Sequence, residues 1–169
     1  MRVFKYTVWI IMLFLVQTVF INDIRIGALR PDIILPFIVA VSIKENSFKT
    51  ATGITIACAF LAGALCGKNF PFAVIFYTYT SAVVFAMRRK PAHMIAFLRY
   101  ILWVIIATLL SESISYLILY MSFDWFLKAV ILYILPSALY TLLAAIVIYP
   151  IINITLYPQG RGKKLLIVD

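Results

Sequence analysis

Histidine, cysteine and acidic side chains are all scarce in this chain, and each scarcity closes off a class of chemistry. The single histidine, His93, stands in a basic stretch, so general acid–base catalysis has few candidates. The two cysteines, Cys58 and Cys66, lie eight residues apart in one apolar block. On a helix that is about 12 Å, too far for a disulfide, and neither their number nor their spacing suits a metal site. Both are read as small packing residues. No phosphate-cradling glycine loop, zinc-ligand spacing or Ser/His/Asp set is present. The connections between apolar blocks are short and leave no room for a soluble domain. These absences predict a non-enzymatic protein without metal or cofactor.

Charge is also sparse, at 12% of residues where a soluble domain carries about a quarter. What fills its place is hydrophobic: 65% of the chain, with a mean hydropathy of +1.08. The apolar residues come in long blocks, and a bilayer span needs about 20 of them. Lipid also forces backbone groups to pair internally, which favours helices. The expected fold is an all-α integral membrane protein with six transmembrane helices, at about 6–23, 32–43, 51–66, 71–87, 99–121 and 126–153. They form one membrane domain over 1–156, followed by a short basic tail over 157–169. The first run resembles a signal peptide, but Ile21–Gly27 offers no small-x-small cleavage pattern, so it is read as a retained helix.

The net charge of +9 does not point to nucleic acid, because the cations sit in short loops rather than on a basic surface with interleaved aromatics. With the N-terminus inside, the inner segments hold Arg2, Lys5, Lys44, Lys49, Arg88, Arg89, Lys90, Arg99, Arg161, Lys163 and Lys164. Only Arg25, Arg30, Lys68 and Lys128 fall outside. The positive-inside rule therefore places both termini in the cytoplasm. Arg88, Arg89 and Lys90 form the densest basic patch, read as a contact for anionic lipid or a cytoplasmic partner.

The polar turn Arg25–Pro36 organises the reading. Proline suits a first helical turn, and Asp32 then sits where the helix dipole favours a carboxylate. The turn is either a well-capped helix start or a partner contact through Arg25, Arg30 and Asp32. The helix after it is short, and Pro36 is a candidate kink, so it either spans a thin or tilted region or begins within the protein. Gln17, on the first helix, can hydrogen-bond across a helix interface or lie near the outer headgroups. Glu112 is the one acid well inside a predicted span. Thr108, Ser111 and Ser115 share its face, and it is either a titrating group or a polar contact between helices. Gly53 and Ala57, then Ala59, Gly63 and Gly67, repeat at four-residue spacing. They are read as internal helix packing, with a dimer or partner face as the alternative.

Several of these residues, taken in order, resemble the bacterial rod shape-determining MreD family. They are Gln17, Gly27 and Pro31-Asp32, then Gly53 and Gly63 in a small-residue third helix. An aromatic fourth helix follows, and then the ending PSALYTLLAAIVIYPI with Pro136, Tyr140, Tyr149 and Pro150. The likeness runs over nearly the whole chain and departs from the family at Cys66, where members often carry an acid. It implies a scaffold or regulatory subunit of the cell-elongation complex in the bacterial cytoplasmic (inner) membrane. Its expected partners are MreC and, in a larger assembly, MreB, RodA and a class B penicillin-binding transpeptidase. It also implies a bundle resembling the substrate-binding subunits (S-components) of energy-coupling-factor transporters, so a small-molecule-binding subunit of that kind is the alternative. Those subunits dock through small residues on the first helix, whereas this one reads VWIIMLFLVQTVF, which favours the scaffold.

Overall fold

A computed structural model describes residues 2–20, 31–65, 70–88, 95–120, 128 and 130–157. Arg25, Arg30, Cys66, Gly67, Arg89, Lys90, His93 and the basic tail from residue 158 lie outside the described residues. Among those described, the chain is helical and has no strand. Helix α1 spans Arg2–Leu15 and continues as a π-helical turn, Val16–Phe20. Then come α2 (Ile34–Lys44), α3 (Phe48–Leu65), α4 (Phe70–Met87) and α5 (Ala96–Tyr120). A second π-helical turn, Val130–Ile134, runs into α6, Leu135–Thr155.

Helix α2 is the axis of the bundle. It is apolar on every side, ILPFIVAVSIK, and a helix without a polar face belongs in an interior. It packs against α3, α4, α5 and α6, and α1 joins it through Trp9, whose ring stacks on Phe37 at 6.2 Å. The side chains of Ile34, Leu35, Phe37, Ile38, Val39, Ala40 and Val41 are at most 1% exposed. Its 11 residues rise only about 16 Å.

The outer helices turn small and polar residues inward and large aliphatic ones outward. On α6 the buried set includes Ser137, Thr141 and Ala145, while Leu139, Leu143 and Val147 are exposed. On α5, Tyr100, Val104, Ala107 and Thr108 are buried, and Leu102, Ile106, Leu110 and Ile114 face out. Two segments, Ala96–Ile118 and Val130–Thr155, are long and apolar enough to cross a membrane. The apolar stretches Phe4–Val19, Ile34–Lys44, Phe48–Ala64 and Pro71–Met87 are shorter, at 10–17 residues. Six transmembrane helices were expected, the second of them short; among the described residues two segments reach crossing length.

Two expectations about α2 and α3 need correcting. Pro36 does not kink a helix, because it falls in the first turn of α2, where its missing N–H has no intrahelical partner to lose. Gly53 does not pack inside its own chain. The interior face of α3 is Ala51, Ile54, Thr55, Cys58, Ala59 and Ala62. Gly53 and Ala57 lie on the outward side, and a Cβ added at Gly53 would meet nothing within 4 Å. The reason is helical phase: at 100° per residue, the line through 53 and 57 points away from the line through 51, 55, 58 and 62. Gly63 is half-buried.

Candidate functional site

Each end of α2 carries a knot of polar groups. Its opening turn would leave a run of backbone donors unpaired in an apolar interior, and each finds a partner. The N–H of Asp32 donates to Thr141 Oγ1 at 3.1 Å, and that of Ile33 to Gln17 Oε1 at 3.1 Å. Ile34 and Leu35 donate to Asp32 Oδ1 at 3.0 and 3.3 Å. Pro36 has no donor, and Phe37 bonds the carbonyl of Ile33 at 3.4 Å. Gln17 Nε2 also donates to the carbonyl of Pro31 at 3.2 Å, so one amide clamps both sides of the Pro31-Asp32 step. The second carboxylate oxygen, Asp32 Oδ2, accepts from Tyr77 at 2.7 Å.

Asp32 is only 8% exposed. An ionised carboxylate is costly in such a place unless it is paired or fully hydrogen-bonded. Here two backbone donors, a phenol and the positive end of the α2 dipole all converge on it. The expected cap is therefore present, and the second carboxylate oxygen is turned toward Tyr77 on α4. Gln17 is likewise engaged within the chain. Charge reversal at Asp32 would break this knot and so could not isolate a partner contact.

The other end of α2 is a junction of several chain segments. Glu45 is 6% exposed. Its Oε2 accepts from Tyr6 at 2.5 Å and from Tyr157 at 3.1 Å, and the two phenol oxygens are 2.9 Å apart. The Arg88 guanidinium donates to the Glu45 carbonyl and lies over the Phe85 ring, and Arg99 donates to the Arg88 carbonyl. The end of α2 is thus tied to α1, α4, α5 and the residues after α6. Arg88 is half-buried and turned into this junction, which removes it from the expected lipid-facing patch. Lys44 sits over the Tyr149 ring at 5.6 Å, a placement that also favours the negative end of the helix. Burial, then the hydrogen bond and proximity of Tyr6, then Glu45, push the Tyr157 phenol up, so it stays a donor.

Glu112 is half-buried on α5, and Ser137 on α6 donates to its Oε1 at 3.1 Å. That geometry fits a polar contact between helices. Glu112→Gln keeps the accepting oxygen and should leave the yield of monodisperse protein within about twofold of wild type. Glu112→Lys replaces an acceptor with a buried donor and should abolish that yield. Size-exclusion profiles of the two variants check this, and failure of the Gln variant would make the ionised carboxylate itself the requirement.

Among the described residues, no three His, Cys, Asp or Glu side chains gather to hold a metal ion. Sequence reasoning found Gln17, Asp32 and Glu112 but missed Tyr6, Glu45, Tyr77, Arg99, Thr141 and Tyr157. The one local hint was a Lys-Glu pair directly after an apolar helix. Set against family models, curated proteins and solved structures, the chain matches none.

Proposed function

We propose that this chain is a non-enzymatic membrane scaffold of the MreD type, a regulatory subunit of the bacterial cell-elongation complex that binds MreC. In this reading all six helices lie within the cytoplasmic membrane, both termini face the cytoplasm, and the bundle is of the energy-coupling-factor S-component kind. MreB, RodA and a class B penicillin-binding transpeptidase complete the assembly, and Arg89, Lys90 and neighbouring cations meet anionic lipid.

One observation carries the reading. The polar side chains that a ligand site would need, Asp32 and Gln17, are engaged in holding α2 within its own bundle. Such groups serve rigidity, and a rigid bundle with an aliphatic exterior suits lateral contact with other membrane helices. The ordered set Gln17, Pro31-Asp32, Gly53, Gly63, Pro136 and Pro150 supports the family. The short helices, of 10–17 apolar residues, fit a membrane through local thinning of the bilayer and snorkelling of the flanking residues.

Purification from a native-like bacterial membrane in a gentle detergent, followed by mass spectrometry, tests the proposal. MreC should co-purify in near-stoichiometric amount. Recovery of a tightly bound small molecule, with an ATPase module and without MreC, would replace this reading by the transporter subunit.

A further inference from the structure

The junction at Glu45 joins α1, the buried central helix α2 and the residues just after α6, and its two phenols are not equivalent. Tyr6 is buried and donates to Glu45 Oε2 at 2.5 Å. Tyr157 is half-buried, reaches the same oxygen at 3.1 Å, and lies 2.9 Å from the Tyr6 hydroxyl. A carboxylate at the C-terminal end of a helix works against the helix dipole, so Glu45 needs donors. It keeps one if Tyr157 leaves. Its carbonyl also keeps Arg88, and its amide keeps the Val41 carbonyl at 2.8 Å. The departing phenol, already half-exposed, exchanges protein partners for water at modest cost.

The backbone at Tyr157 is suited to such a movement. The amides of Leu156 and Tyr157 both point at the carbonyl of Ile152, at 2.9 and 3.4 Å. One acceptor thus serves two donors, and the last turn is loosened where the chain bends back toward α1. The next stretch of sequence carries Arg161, Lys163 and Lys164, so whatever engages those cations acts on the chain four to seven residues beyond Tyr157.

We propose that Tyr6 and Glu45 form a latch that holds Tyr157, and with it the root of the C-terminal segment, and that the latch opens while the bundle stays folded. The latched state ties the last helix to the first across 151 residues of sequence. The released state leaves α2 anchored through Tyr6, Arg88 and the knot at Asp32. This device does not depend on the scaffold assignment, since every group in it belongs to this chain.

Residue-resolved hydrogen exchange on the full-length protein in lipid nanodiscs tests it. In Tyr157→Phe the amides of Leu156 and Tyr157 should exchange about tenfold faster or more, while those of residues 38–41 keep their wild-type rates. Thr155→Val is the control, because the Thr155 hydroxyl bonds the carbonyl of Ile151 on its own helix at 2.7 Å. It should leave Leu156 and Tyr157 within threefold of wild type. Unchanged rates in Tyr157→Phe would overturn the latch. So would acceleration that spreads equally to residues 38–41, or a Thr155→Val variant that matches Tyr157→Phe.

Discussion

Asp32→Ala is expected to destabilise the bundle by roughly 3–5 kcal/mol. The alanine strands three donors at once: the amides of Ile34 and Leu35 and the hydroxyl of Tyr77. Each buried donor left without an acceptor costs about 1–3 kcal/mol, and the three are too enclosed to recruit lipid or water. Asp32→Asn separates the contributions. It keeps an oxygen for the two backbone donors and should cost about 1–2 kcal/mol. Thermal unfolding in detergent, followed by the fluorescence of Trp9 and the other tryptophans, should show Asp32→Ala melting roughly 10 °C or more below wild type, with Asp32→Asn between. A melting point for Asp32→Ala within a degree or two of wild type would mean that the cap does not hold the helix.

The second large effect is a cavity. Phe37 is fully buried and stacked on Trp9, and its deletion to alanine at the centre of four packed helices should cost about 3–5 kcal/mol. Phe60 is the matched comparison, being 57% exposed on the outward face of α3. Phe60→Ala should change stability by less than about 1 kcal/mol, because a side chain that is already exposed loses little packing when it is truncated. Equal losses from the two variants would remove α2 from the centre of the bundle. The melting experiment used for Asp32 reads both.

The sequence made the helical class and the start of α2 legible, for a physical reason. Helix-cap chemistry is local: Asp32 reaches donors two and three residues ahead, so the Pro31-Asp32 step carries its own signature. The partners of Asp32 on other helices do not. Tyr77 is 45 residues away and Thr141 is 109, and nothing within either apolar run marks the residue that will face Asp32. Glu45 escaped notice because a charged residue between two helices looks like a solvated loop until three other chain segments close over it. The orientation of α3 was hidden differently. In FKTATGITIACAFLAGAL both faces are apolar, so no alternation separates the side toward α2 from the side bearing Gly53. Composition marks six apolar runs but not their continuous length, and two of them, Ala96–Ile118 and Val130–Thr155, are long enough to cross a membrane.

The enclosure of α2 constrains how the protein can be made. A segment rising about 16 Å and apolar on every side has nothing to bury itself against while it is alone. It emerges from the ribosome before any of the walls that surround it except α1. Its N-terminal amide at Asp32 bonds a hydroxyl that is synthesised 109 residues later, at translation speeds several seconds afterwards. Until α6 arrives, the Asp32 amide must be satisfied by water or by non-native contacts. The central helix of the finished bundle is thus synthesised well before the last of the groups that surround it.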